Sequence, residues 1–247
     1  MNPDLGNRLY WRSLKNKHRG RRGFVIGNGP SLRMEDLDLL RDEITIASNK
    51  VYLAFEKTAW RPDYFTCVDA LVWRKICDLI HLHTPAIHLP AYLASAGLPD
   101  DSCEVHYWRQ VRTARPYNGN DIEFSEDLSI HAFGGYTVTF ENLQLAAHIG
   151  LNPIILVGCD HYYAGESDVQ ADSPIKAGAG NNHFVEGYRQ PGETVNPAMI
   201  EIMNNAFRHA RLYAQRTGCR ILNATRGGHL DIFERADFDL LVKGGTQ

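Results

Sequence analysis

The chain has no CxxC pair, no apolar run approaching the roughly 20 residues that a bilayer-crossing helix needs, and neither the Gly-x-x-x-x-Gly-Lys-Ser phosphate loop nor the long dinucleotide fingerprint. Its five cysteines, Cys67, Cys77, Cys103, Cys159 and Cys219, lie far apart and are odd in number. They cannot all pair within one chain, which argues against a disulfide framework or a zinc site and for reduced core thiols. The start, Met1-Asn2-Pro3-Asp4-Leu5, lacks the apolar centre of a signal peptide, so a cytoplasmic protein is expected. A net charge of -3 is too small to imply nucleic acid.

What is present fits a globular enzyme-sized chain. Hydrophobic residues make up 44% and charged ones 22%, the balance of a folded domain rather than a disordered or membrane protein. At 247 residues the chain can bury a sizeable core. No internal repeat or composition shift marks a second domain. Residues 1–22 form a basic N-terminal segment, and 23–247 read as a single α/β nucleotide-binding catalytic domain. Arg8, Arg12, Lys15, Lys17, Arg19, Arg21 and Arg22 crowd that first segment against Asp4 alone. The cluster suits peripheral contact with an anionic surface such as the inner face of a membrane; a solvated N-terminal helix is the commoner reason for such a cluster.

Strand-like apolar runs alternate with helical periodicity, the pattern of a mostly parallel sheet with helices on both faces. The expected strands are Gly23 to Gly27, Ile44 to Ser48, Tyr64 to Val68, Ala86 to Leu89, Ile154 to Gly158 and Arg220 to Asn223. Helices are expected over Leu71 to Ile80, Thr137 to Ile149 and Pro197 to Arg216. The last has Asn196 as cap, Pro197 as first residue and Thr217-Gly218 as stop. Tyr107 to Phe133 and Ala164 to Glu193 fit no element and read as long functional loops.

The segment Gly23-Phe24-Val25-Ile26-Gly27-Asn28-Gly29-Pro30-Ser31-Leu32 reads as a buried strand, a tight glycine turn and a serine that caps the next helix. Backbone amides and a helix N-terminus there would suit a phosphate; a turn with no ligand has the same spacing. In an open parallel sheet, ligands bind beyond the carboxyl ends of the strands. This singles out Asn28 and Ser31, Asn49, Asp69, and Asp160 with His161, Tyr162 and Tyr163. Asp160 could orient a catalytic partner, bind a metal or form a turn. His183, in Asn181-Asn182-His183-Phe184, is a candidate general base. Gly134, Gly135 and Tyr136 precede a helix and offer a second nucleotide cradle.

In this order, Gly27-Asn28-Gly29-Pro30-Ser31-Leu32, Ser48-Asn49, Gly135-Tyr136, Gly158-Cys159-Asp160-His161-Tyr162 and Asn182-His183-Phe184 resemble the MptE-like family and the related family 42 bacterial sialyltransferases. The resemblance implies a single-domain Rossmann-like fold, a variant of the GT-A-like arrangement. It also implies a glycosyltransferase taking a nucleotide-activated, CMP-linked sugar to a surface glycan or glycoconjugate, with no required cofactor. Gly27, Asn28, Gly29, Pro30, Ser31 and Asn49 would then hold the donor with Gly134, Gly135 and Tyr136. His183 would deprotonate the acceptor hydroxyl, Tyr162 would assist the leaving phosphate, and the loop after Asp160 would close over the site. Asp69 stands where a neutral asparagine is expected. With Asp160 it could instead hold Mg²⁺ for an MptE-like 6-hydroxymethylpterin diphosphokinase using ATP. A nucleotide-binding protein without catalysis is the third reading. Arg226, in Asn223-Ala224-Thr225-Arg226-Gly227-Gly228, would contact a phosphate or carboxylate, or form a structural salt bridge. A homo-oligomer is compatible with all three.

Overall fold

The computed structural model describes residues 3–81, 83–84, 86–97, 103–112, 122–165, 173–178, 181–190 and 192–243. The remaining parts of the two long segments expected as loops lie outside the described residues. In chain order the elements begin with α1 (Pro3–Leu14), β1 (Gly23–Ile26), α2 (Met34–Leu39), β2 (Ile44–Ser48), a 3₁₀ turn (Asn49–Ala54), β3 (Tyr64–Thr66) and α3 (Ala70–Ile80). They continue with β4 (Ala86–Pro90), a second 3₁₀ turn (Ala91–Ala96), β5 (Glu104–Trp108), β6 (Gln110–Val111), β7 (Ala132–Phe133) and α4 (Val138–His148). The chain then forms β8 (Ile154–Val157), β9 (Ile175–Lys176), β10 (Thr194–Val195), α5 (Ile200–Thr217), β11 (Ile221–Asn223), β12 (Glu234–Arg235) and α6 (Phe238–Lys243).

Eight strands form one parallel sheet in the order β12-β11-β8-β1-β2-β3-β4-β5. Alternation along each strand sends side chains to opposite faces. Val25, Ile44, Ile46, Ile154 and Leu156 pack with Trp11 of α1, Phe140 and Leu143 of α4 and Phe207 of α5. Phe24, Ile26, Ile155 and Val157 pack on the other face with Leu37 of α2, Trp73 and Ile76 of α3 and Phe238 of α6. Burial on both faces explains the near-continuous apolar character of these strands. The result is a three-layer α/β, Rossmann-like fold.

The connectivity locates the cleft. From β1 the chain moves outward through β2, β3, β4 and β5, then returns to lay β8 on the other side of β1 and continue to β11 and β12. The β1–β8 boundary is therefore the topological switch point, where two loops leave the carboxyl edge in opposite directions and open a crevice.

Three local expectations change. Ser31 does not cap a helix: α2 begins at Met34 with Arg33 as its cap residue, and Asp36 accepts from the Arg33 amide. With six residues, and with Asp36 already at its N-terminus, α2 offers no anion seat to the glycine turn. The last long helix starts at Ile200 rather than Pro197, whereas Gly218 ends it as expected, at φ 74 with its amide donating to the Ala214 carbonyl. The edge strand β5 was not anticipated. Its sequence Glu-Val-His-Tyr-Trp carries too few apolar residues to read as buried, and α1 covers it, with Trp11 Nε1 donating to the Tyr107 carbonyl at 2.7 Å.

The basic segment is folded onto the body through Trp11 and Leu14, both in the core. Amides of Asn16, His18 and Gly20 donate to the carbonyls of His148, Ile149 and Gly150. Lys15 pairs with Asp127 and Arg22 with Glu43, while Arg8, Arg12, Lys17, Arg19 and Arg21 stay exposed.

Candidate functional site

A cavity of about 450 Å³ opens at the switch point, beyond the carboxyl ends of β1, β2, β3 and β8. Its walls bring together Gly27, Asn28, Gly29, Asn49, Asp69, Gly134, Tyr136, Asp160, Tyr162 and His183, residues spread over most of the sequence. Pro30, Ser31, Gly135 and Arg226 are not part of the wall.

The glycine turn is tight for a packing reason. A Cβ at Gly27 would lie 2.2 Å from the Gly158 carbonyl oxygen, and one at Gly29 would lie 1.9 Å from Asp160 Oδ2. The β1 and β8 loops thus touch backbone to backbone, and Asp160 fastens them. Its Oδ2 accepts from Ser31 Oγ at 2.7 Å and its Oδ1 from the Ser31 amide at 3.2 Å. Burial pushes the Asp160 carboxyl up, and the Ser31 hydrogen bonds pull it back. Ser31 therefore serves the loop rather than the cavity.

Asp69 lies at the wall as the N-cap of α3, its Oδ1 accepting from the Leu71 and Val72 amides. This is a structural task for a short acidic side chain at a helix start. Mg²⁺ prefers carboxylate oxygens that are free to complete an octahedron. Asp160 is committed through both oxygens to Ser31, while Asp69 spends Oδ1 on the helix cap, so the two are not arranged as a dedicated metal pair. Among the described residues no group of three or more His, Cys, Asp or Glu side chains gathers to hold a metal ion. Gly135 is a packing glycine, since its Cβ would meet Phe140 at 2.4 Å and Ala206 at 2.7 Å. Arg226 pairs with Asp36 and Asp239 and takes the salt-bridge role.

Backbone strain concentrates at the cavity. Among the described residues the non-glycine positions with positive φ are Asn16, Asn49, Tyr136 and His161, and the last three line it. Each such position costs on the order of 1–3 kcal/mol and persists only where the surroundings hold it. Two buried acceptors, Asn28 Oδ1 and Asn49 Oδ1, have no hydrogen-bond partner, while Asn28 Nδ2 donates to the Ser48 carbonyl at 3.2 Å. An unmade buried hydrogen bond costs about 1–3 kcal/mol, a cost that falls here on two residues of the cavity wall. The N-termini of α3 and α4 reach the wall at Ala70 and at Val138, so positive helix ends face the cavity from elements other than α2.

His183 stacks on Tyr188 with ring centroids 3.7 Å apart. Burial, then the cations Arg189 and Lys50, press its pKa down to about 3, so the imidazole is neutral. Tyr162 sits at the exposed rim beside His229. Several wall residues escaped the sequence reading: Glu141, Gln110, Arg112, Tyr92, Tyr188 and Arg189. Glu141 falls within a helix whose periodicity explains it as covered. Only its partners, about thirty residues earlier in the chain, show where it points.

The family model for the 6-hydroxymethylpterin diphosphokinase MptE-like proteins matches residues 7–166, well over half of the chain. The chain belongs to the MptE-like family. The matched span of this MptE-like protein holds the glycine turn, Asn49, Asp69, Glu141 and Asp160, and it ends before His183. No curated protein matches the sequence. Among solved structures, the MAf glycosyltransferase from Magnetospirillum magneticum AMB-1 shares the fold at a TM-score of 0.55 and 15% identity, covering 96% of this chain and 38% of that one. The chain thus corresponds to well under half of that protein's length, and what carries over is a glycosyltransferase-like fold.

Proposed function

We propose that this MptE-like protein is a transferase that binds a nucleotide-activated sugar, CMP-linked, in the switch-point cavity and passes the sugar to a hydroxyl of a surface glycan or glycoconjugate. The observation that carries the reading is the convergence of three strained non-glycine residues and two orphaned asparagine acceptors on one cavity at the edge of a Rossmann-like sheet. Ribose and sugar hydroxyls are the donors that Asn28 and Asn49 lack. In the step itself the acceptor oxygen attacks the sugar's anomeric carbon, its proton passes to the His183 imidazole, and the bond to phosphate breaks with its electron pair leaving on the phosphate. Tyr162 donates to that oxygen at the rim. Burial, then Arg189 and Lys50, make His183 a weak base against the opposing pull of Glu193; an anionic donor bound beside it adds to that pull and raises its basicity when substrate is present.

The family's description supports a second reading, diphosphate transfer from ATP to a hydroxymethylpterin. The commitment of both Asp160 oxygens to Ser31 weighs against it. A protein that binds nucleotide without turnover is the third. We place the protein in the cytoplasm, with the exposed Arg8, Arg12, Lys17, Arg19 and Arg21 touching the inner face of the membrane. No described helix is long and apolar enough to cross one. Loss of a positioned base lowers turnover by about 10²–10⁴-fold. His183→Ala should do so with little change in donor affinity, and transfer at the wild-type rate in that variant would overturn the assignment.

A further inference from the structure

The wall residue with the most unusual chemistry is Glu141, in the first turn of α4. It is 4% exposed, yet it borders the cavity. Gln110 Nε2 donates to its Oε1 at 2.7 Å and Trp108 Nε1 donates to its Oε2 at 3.2 Å. Gln110 is itself fixed, since its Oε1 accepts from Arg112 Nε at 3.3 Å, and Arg112 lies over the Tyr92 ring at 3.7 Å. The pose is therefore set by two groups that both donate. An indole N–H and an amide N–H cannot accept, so a proton on Glu141 has no acceptor in either of them and is left to the cavity.

The titratable groups facing this carboxyl are Arg112 beyond β6, Tyr92 on the 3₁₀ turn after β4, and Cys67 after β3. Burial pushes Tyr92 and Cys67 up, so both are neutral at physiological pH, and Arg112 is the one charge. Arg112 reaches Glu141 through Gln110 rather than directly. Desolvation outweighs it together with the two hydrogen bonds, and the carboxyl is pushed up to about 8.

We propose that Glu141 determines which base the cavity accepts: as an intact carboxylic acid it donates to a ring nitrogen and accepts from the neighbouring amino group, the edge shared by cytosine and adenine. A carboxylate would do the opposite, accepting twice from the paired N–H groups of a guanine or pterin edge. The acid form thus selects against those ligands by leaving two donors facing one another. The inference deepens the nucleotide reading above and rests on it.

The test is calorimetric titration of the full chain with CMP, AMP, GMP and 3-deazacytidine 5′-monophosphate, which lacks the accepting ring nitrogen, from about pH 7 to about pH 10. CMP or AMP should bind with constant affinity at first, then about tenfold more weakly per pH unit once Glu141 ionises above about 8. Whichever of the two binds identifies the base. The deaza analogue should bind at least tenfold more weakly than CMP if the base is cytosine. Glu141→Gln cannot ionise, so whatever affinity it retains should be the same at both ends of that pH range, and a fall that persists in this variant would overturn the assignment to Glu141. A flat wild-type profile, or a preference for GMP that strengthens with pH, would overturn the role of Glu141 while leaving the nucleotide site intact. Absence of binding by every nucleotide at every pH would overturn the nucleotide reading itself, and the inference with it.

Discussion

At Gly27 a methyl group would run into the backbone carbonyl of Gly158, whereas at Gly29 it would meet the end of the Asp160 side chain, which can swing away. The two glycines therefore differ in what replacement does. Overpacking against fixed backbone costs typically 1–3 kcal/mol or more. Gly27→Ala should lose about that much stability in chemical denaturation, while Gly29→Ala should lose less and chiefly loosen the Ser31–Asp160 contact. Equal stability of Gly27→Ala and wild type would contradict the close approach of the two loops. His183 gives a second residue-scale expectation. Its folded-state pKa lies well below the ordinary 6.5, so the unfolded chain binds the proton more readily and stability falls as pH drops from 6.5 toward 3. The limit is about 1.4 kcal/mol per pH unit, less whatever solvent reaches the ring. Acid melts of His183→Gln should show a shallower slope, and an unchanged slope would place the titration elsewhere. Residue types after strands marked Asn28, Asn49 and Asp160 in the sequence, because a parallel sheet directs those positions to one edge, whereas His183 stood out only as a histidine in a long loop. The task of Asp160 was not legible, since it depends on Ser31, 129 residues away.

Among the elements, the short ladder of β9 and β10 is held to the body by charge. Glu193, just before β10, accepts from Lys50 of the first 3₁₀ turn and Lys75 of α3. Both Lys50 and Glu193 are nearly covered, with side-chain exposures of 9% and 6%. The cations hold the Glu193 carboxyl down to about 2, against the opposing push of burial. Breaking a buried pair from one side strands a charge, at about 3–5 kcal/mol. Glu193→Gln should therefore destabilise strongly and speed amide exchange over 187–195 beyond that of the sheet, and Lys50→Met combined with it should recover part of the loss. Protection over 187–195 equal to wild type would contradict this clamp. The strands inside the sheet were legible because burial on both faces forces apolar runs, and α3 and α4 because their caps and periodicity agree. The edge strand β5 and the late start of α5 were not, because α1 covers the first and the cavity claims Asn196 and Pro197 from the second.

For the whole molecule, the order of strands matters more than their number. Alternation of apolar strands and helices pointed to a parallel Rossmann-like sheet, but not to the return of the chain from β5 to β8 that places the β1 and β8 loops together. That return makes one site out of residues as distant as Asn28 and His183, and gathers the strained residues there. If the cavity is a nucleotide site, ligand held by the native state raises the melting temperature. A thermal-shift series of cytidine, uridine, guanosine and adenosine nucleotides and pterins, with and without Mg²⁺, therefore tests the central claim most directly. The account predicts a concentration-dependent rise with a cytidine nucleotide in the absence of metal, and no shift with any nucleotide or pterin would contradict it.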